Sequence, residues 1–467
     1  MMSPAGTDSG RLRCRGTIGD DFTFGRVRLA AAAFARIERR RGNAPAIFIA
    51  GDTRFFSEDF ARAAACAIEA EGVHAILADR YAPRAAVSFE IRRRHLAGGI
   101  YVTGGSRPAE QSGLKFLDRD GSDDRALESE ILDLAESLPE SLGEPGAAEP
   151  AGLEAFDPSV YYLDRLGEQV RFATIRRAGL RLIFDAMHGA AAGWLDRLVA
   201  KRGVPVEVLH GNRDVLFQGS SPSPVAAHLK SLAHAVRAGG KTLGFGISGD
   251  GTRFAMLDSE GRFLTPGQLV ALLYDFLVET RGWRLDAARS VATSHFVDAV
   301  ASQHGLSTVK TPGGFRHFAP ALLGERVALA GDADGRLAIR GHVPESDAIL
   351  GALLAAEMVA ERGPLEAQLE TLFRRVGREF WPVRCDVPMD DAARERLAQL
   401  LESDSREFLE RQVVRVDRMD GWEIEFEDGS WLLVRPARGP HVEIHAEAAS
   451  HDVATRLAKE TERWMLN

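Results

Sequence analysis

Only three cysteines occur in 467 residues, Cys14, Cys66 and Cys385, far apart and with no C-x-x-C spacing. That excludes a disulfide framework and reads as reduced, unpaired thiols in a cytoplasmic protein. Long apolar runs are also missing. None reaches the roughly 18 residues of a transmembrane helix, so no membrane partner is expected. Met1 to Asp8 contain no apolar core of the kind a secretory signal needs. Positive charge is not in excess: 58 Lys and Arg stand against 67 Asp and Glu, a formal net charge of −9. Backbone binding of nucleic acid rests on clustered positive charge, so no nucleic-acid partner is expected. An acidic chain still has room for a basic pocket, which leaves phosphorylated small molecules open.

The chain is long enough for about three or four domains. Hydrophobic residues make up 45% and charged residues 27%, the balance of a soluble globular protein. Ala46-Ile47-Phe48-Ile49-Ala50 is an apolar run ending in Gly51-Asp52, as a buried parallel strand does. Ser57 then reads as the N-cap of a helix with Glu58 and Asp59 in its first turn. His74 to Leu77 and Gly98 to Val102 are further strands. This strand–helix alternation implies a parallel sheet with right-handed crossovers. Leu138 to Ser159, rich in Glu, Pro, Gly and Ala, reads as a linker. Beyond it, Leu180–Asp185, Val206–Leu209 and Thr242–Ile247 read as strands, and Gln268–Glu279 and Asp347–Glu361 as helices. Trp422 to Phe426 alternates as a strand does, two more strands follow at 429–434 and 442–446, and Val453 to Trp464 is a closing helix.

The segment Gly98-Gly99-Ile100-Tyr101-Val102-Thr103-Gly104-Gly105-Ser106-Arg107-Pro108, continuing to Ser112-Gly113-Leu114-Lys115, carries a family likeness. It resembles the active-site segment of the α-D-phosphohexomutases, the phosphoglucomutases and phosphomannomutases, which reads G-G-I-x-I-T-A-S-H-N-P-x-x-Y-N-G-x-K. Other stretches are similar to the family's motifs in the same order. They are Gly16-Thr17-Ile18-Gly19-Asp20-Asp21-Phe22-Thr23, Asp52-Thr53-Arg54, Asp185-Ala186-Met187-His188-Gly189-Ala190, Ile339-Arg340-Gly341-His342-Val343-Pro344-Glu345 and Gly429 to Pro436. The resemblance implies an α/β protein of four domains, three similar α/β/α domains plus a smaller C-terminal α+β domain. The expected domains are residues 10–138 (nucleophile loop), 160–258 (metal loop), 259–378 (sugar loop) and 381–467 (phosphate-binding loop), with the four loops converging on one cleft.

The resemblance also implies a phosphoserine, a Mg²⁺ on three aspartates, a sugar-gripping Glu/Ser pair and a phosphate loop. At each of these this chain departs from the pattern. The serine position is Gly105, which has no oxygen to carry a phosphoryl group; Ser106 lies one place along and is the candidate for a displaced nucleophile. The metal loop D-G-D-A-D-R is here Ser248-Gly249-Asp250-Gly251-Thr252-Arg253, which leaves Asp250 alone of three carboxylates. Mg²⁺ asks for more than that, so no cofactor is expected unless the protein is active, and Asp250 reads rather as a turn residue bonding its own backbone. The sugar loop G-E-x-S-G is Gly331-Asp332-Ala333-Asp334-Gly335. Asp332 and Asp334 read either as acceptors for sugar hydroxyls or as a solvated turn. Arg316 keeps the positive charge of the motif T-P-V-G-F-K. The phosphate loop R-P-S-G-T-E-P-K is shortened to Arg435-Pro436-Ala437-Arg438-Gly439-Pro440-His441. Arg435 and Arg438 read either as an anion site or as a surface turn.

Scaffold motifs are kept and site residues differ at all four loops. The expectation is a phosphoglucomutase/phosphomannomutase-like protein of carbohydrate metabolism without standard mutase activity, binding a sugar phosphate or a protein partner in a regulatory role. The alternative is an active phosphosugar mutase or phosphotransferase of altered chemistry, working through Ser106 or with a bisphosphorylated sugar as donor.

Overall fold

The computed structural model describes residues 13–42, 46–144, 153–402, 406–437 and 441–466. The chain forms two compact units, one built from the chain up to Phe263 with His342–Glu361, the other from Leu264–Gly341 with the chain from Arg362 onward.

The first unit holds two sheets. β1 (Arg15–Thr17), β2 (Ala46–Gly51), β3 (His74–Ala78), β4 (Gly98–Val102), β5 (Gln111–Leu117) and β6 (Glu154–Phe156) lie in the order β1-β5-β4-β2-β3-β6. β4, β2, β3 and β6 run parallel, while β5 returns antiparallel to β4. The central parallel strands β2 and β4 are covered by helices and so are buried nearly throughout: Ile47 and Ile49 of β2 pack with Phe34 and the alanines of the helix Phe24–Arg40. Each such fully buried Ile or Phe contributes roughly 1.5–3 kcal/mol. Thr23 caps that helix by accepting from the Arg26 N–H. The second sheet, β7 (Arg181–Asp185), β8 (Val206–Leu209), β9 (Thr242–Ile247) and β10 (Phe254–Leu257), has the order β10-β9-β7-β8, with β10 antiparallel to β9.

The second unit repeats the pattern once. β11 (Asp286–Ser290), β12 (Thr308–Thr311), β13 (Val327–Gly331) and β14 (Leu337–Ile339) lie as β12-β11-β13-β14, with β14 antiparallel to β13. The helix Pro266–Arg281 beside it starts in a Thr265/Gln268 capping box, with Pro266 at its first position. The C-terminal domain is different. β15 (Trp381–Pro388), β16 (Glu407–Phe408), β17 (Arg411–Asp417), β18 (Trp422–Phe426), β19 (Trp431–Pro436) and β20 (His441–Ala448) form an antiparallel sheet in the order β15-β20-β19-β18-β17-β16. Its core joins Trp422, Ile424 and Val434 to Leu457 of the helix His451–Leu466.

Three similar parallel-sheet domains and a smaller fourth are therefore present. In each of the three, one hairpin turns a parallel strand back along the sheet, and β4–β5, β9–β10 and β13–β14 carry loops 103–110, 248–253 and 332–336. Two local expectations are corrected. Ser57 does not cap its helix: Phe56 takes the cap position with φ 57°, and Ser57 is the first helical residue. The stretch read as linker supplies β6, which extends the first sheet beside β3.

Candidate functional site

In the first unit the β4–β5 loop is clamped from below. Arg54 is fully buried, and its Nη1 donates to the carbonyls of Pro108 (2.6 Å) and Gln111 (2.9 Å). Its Nη2 donates to those of Gly105 and Arg107, both at 2.7 Å. Asp52 balances the guanidinium at 3.3 Å and accepts from Thr103 Oγ1 at 2.6 Å, while Thr103 Oγ1 accepts from the Gly105 N–H at 2.8 Å. Burial raises the Asp52 carboxyl, and Arg54 and Thr103 offset only part of that. Gly104 is required by this arrangement, because a Cβ there would sit 2.6 Å from Arg54 Cζ.

Gly105, at the serine position, has φ 63°, a left-handed conformation that favours glycine. Ser106, the candidate displaced nucleophile, is half-buried. Its carbonyl accepts from Ser221 Oγ, and its own hydroxyl makes no hydrogen bond among the described residues.

The β9–β10 loop faces it. Ser248, Asp250 and Thr252 are all buried. Asp250 Oδ1 accepts from Ser248 Oγ at 2.7 Å, from Thr252 Oγ1 at 2.8 Å and from the Thr252 N–H at 3.2 Å. Burial pushes the Asp250 carboxyl up, but Arg84, the two hydroxyls and Arg253 outweigh it and hold it below the usual carboxylate range. Mg²⁺ needs oxygen lone pairs directed at it. Here the two positions that would add ligands direct O–H bonds at the remaining carboxylate instead. The residues of this loop do not fit the ion. The Asp250 carboxylate takes its hydrogen bonds from its own loop, while its carbonyl accepts from the Arg84 N–H at 3.1 Å.

In the second unit, Asp332 is buried. Its Oδ1 accepts from the N–H groups of Asp334 (3.0 Å) and Arg336 (3.1 Å), and its Oδ2 lies 3.0 Å from Arg336 Nε. Asp334 meets Arg336 at 2.6 Å and Arg384 at 3.4 Å. Both aspartates therefore close their own turn and hold arginines. Arg316 is half-buried in the short turn Phe315–Phe318. Arg435 is engaged by two carboxylates, Asp420 at 2.6 Å and Glu443 at 3.0 Å. Asp420 also accepts from the Gly313 N–H at 2.7 Å, so the Thr311–Arg316 stretch and β19 are brought together. Arg438 lies outside the described residues.

In the sequence Arg54 and His188 stand only as letters of the motifs Asp52-Thr53-Arg54 and Asp185-Ala186-Met187-His188. Nothing local marks Arg54 as the clamp of a loop some fifty positions on, or His188 as the neighbour of His210. Their partners come from other strands, and only the fold supplies them.

Three parallel-sheet domains whose hairpins carry these loops, with a C-terminal antiparallel domain, define the architecture of the phosphohexomutases. Models for phosphoglucomutase/phosphomannomutase α/β/α domains I, II and III match residues 9–141, 160–261 and 265–376. The chain belongs to the phosphoglucomutase/phosphomannomutase family. It is 25% identical over 456 residues to a phosphoglucomutase/phosphomannomutase of Thermococcus kodakarensis, covering 95% of each chain. Its fold superposes with a TM-score of 0.81 on a phosphoglucomutase/phosphomannomutase family protein from Burkholderia thailandensis, at 20% identity over 97% of this chain and 95% of that one. A more distant likeness is to Aspergillus fumigatus N-acetylphosphoglucosamine mutase in complex with GlcNAc-6P and magnesium, with a TM-score of 0.52, 15% identity, and 81% of this chain and 91% of that one covered.

Proposed function

We propose that this protein is a phosphohexomutase-family member of carbohydrate metabolism that lacks the standard mutase reaction and binds a hexose phosphate, or a protein partner, in a regulatory role in the cytoplasm. One observation carries the reading: the serine position is Gly105, and the hydroxyls of Ser248 and Thr252 donate to Asp250 where the family's aspartates would face a cation. Phosphoryl transfer draws its rate from a placed acceptor and from charge stabilisation of the moving group. This site offers neither in the family's form. The kept scaffold and the family's sugar-phosphate chemistry support a ligand of that class.

A second reading is favoured by the Ser106 hydroxyl, which makes no hydrogen bond among the described residues on the clamped loop. The test is conversion of glucose 1-phosphate and mannose 1-phosphate with a bisphosphate activator present, beside calorimetry with the same hexose phosphates. Binding without turnover is expected. Turnover abolished by Ser106→Ala makes Ser106 the nucleophile, and turnover untouched by that change favours an altered phosphotransferase. Absence of both binding and turnover discards the sugar-phosphate role and leaves the protein partner.

A further inference from the structure

Two histidines of the first unit meet at the ends of neighbouring parallel strands. His188 follows β7 and His210 follows β8, and the His188 N–H donates to the His210 carbonyl at 2.9 Å. The backbone here is strained: Met187, His188 and His210 have φ of 49°, 56° and 48°. Non-glycine residues hold the left-handed region at a cost, and such strain gathers where function fixes it.

Each of the two rings is held through its Nδ1. His188 Nδ1 lies 2.9 Å from the Asn212 carbonyl, which only accepts, so Nδ1 carries the proton. In the neutral ring the lone pair is then on Nε2. His188 is 5% exposed, and its Nε2 is buried with no hydrogen-bond partner among the described residues. His210 Nδ1 lies 2.9 Å from Oδ1 of the buried Asp185, which likewise turns its Nε2 away from the carboxylate. A ring N–H held by a carbonyl on one histidine and by a carboxylate on the other is how metal-binding imidazoles are fixed. The ring centres are 5.1 Å apart and the planes 48° from each other. A tetrahedral ion about 2.0–2.1 Å from each nitrogen sets two imidazole centres roughly 5 Å apart.

We propose that His188 Nε2 and His210 Nε2 together bind a divalent transition-metal ion of the class that prefers imidazole, with Zn²⁺ as its representative. Water completes the coordination, and the 28% exposed side chain of His210 gives the ion its way in. The site is separate from the Asp250 loop and lies directly behind it. A Cβ on Gly189 would be 2.6 Å from Gly249 Cα, and the Ala190 N–H donates to the Gly249 carbonyl at 2.8 Å. Thr53 Oγ1 donates to the His188 carbonyl at 2.7 Å. An ion here stiffens the segments that support both loops of the first unit.

Tag-free full-length protein titrated with ZnCl₂ in a calorimeter should show one saturable site, and Zn²⁺ should raise the melting temperature. His188→Asn and His210→Asn keep a residue that tolerates the left-handed region, and each should weaken binding at least about tenfold. A measurement without mutation runs beside these: Zn²⁺ should slow carbethoxylation of His210, followed by peptide mass spectrometry. No saturable site in the wild type, undiminished binding in both folded variants, or an unchanged rate of His210 modification each overturns the proposal.

Discussion

A Cβ on Gly105 would lie 3.9 Å from Oδ2 of Asp250, with no other described atom outside residues 104–106 within 4 Å. The serine position still points at the last carboxylate of the facing loop. What has changed is what each residue offers there: no oxygen from Gly105, and a carboxylate whose other oxygen, Oδ1, is filled by Ser248 and Thr252.

Magnesium binding at this loop should therefore depend on restoring acceptors. Titration of the wild type with MgCl₂ should give no saturable heat from the loop. The double variant Ser248→Asp, Thr252→Asp should create a site and should melt lower without Mg²⁺ than with it, because three buried carboxylates repel one another unless a cation joins them. A saturable wild-type site removed by Asp250→Ala would reverse the reading.

Arg54→Met should be strongly destabilising. It removes a guanidinium that donates to four carbonyls and leaves Asp52 buried without its cation. Losing one partner of a buried ion pair costs about 3–5 kcal/mol. Denaturant unfolding should show the first unit losing its transition at lower concentration. A change below about 1 kcal/mol would mean the loop holds its shape without the clamp.

The parallel strands Asp286–Ser290 and Thr308–Thr311 of the second unit carry no apolar run and were not read. In the first unit Ala46–Gly51 and Thr242–Ile247 were legible because helices on both faces make them continuous apolar runs. β6 was not. Its three residues, Glu154–Phe156, carry no such run and sit beside a Pro/Gly/Ala-rich stretch. Ser57 was misplaced by one position because Phe56 adopts a left-handed backbone that no residue preference announces. At the site, the losses at Gly105, Ser248 and Thr252 were readable from ungapped motifs. The direction of the hydroxyl bonds to Asp250, the carboxylates on Arg435 and the pairing of His188 with His210 were not, because each joins side chains whose orientation the motif leaves open.

Glu423 gives the second unit an acid-side stability limit. It is buried, with Lys310 Nζ at 2.5 Å and His295 Nε2 at 3.4 Å. Burial raises its carboxyl, but His295 and Lys310 outweigh that and leave it below the ordinary glutamate value. An unfolded glutamate takes up its proton near pH 4.3, before the folded one does. The unfolded state then binds more protons, so this contribution is complete above that pH and is lost as pH falls through the folded value. Glu423→Gln should lower stability at pH 7 by about 1–3 kcal/mol and flatten the acid limb below pH about 4.3. A variant whose acid limb matches the wild type would show that Glu423 does not set it.

Arg435 stands in a stretch that reads either as an anion site or as a surface turn, and its surroundings make a more specific prediction. Asp420 and Glu443 hold its guanidinium at 2.6 and 3.0 Å, and a Cβ on Gly313 would fall 2.1 Å from its Nη1. A phosphate must compete with two carboxylates already in place. Arg435 then acts mainly as a fastener between the Gly313 backbone and β19, through the Asp420 oxygen that both share. Arg435→Ala should cost the second unit roughly 2 kcal/mol, as charged hydrogen bonds do, while changing the affinity for inorganic phosphate little. Asp420→Asn should act in the opposite sense on binding, since it releases one side of the guanidinium, and phosphate affinity should rise. If Arg435→Ala abolishes phosphate binding and leaves the melting temperature unmoved, the guanidinium is an anion ligand after all, and the two carboxylates are its resting partners only.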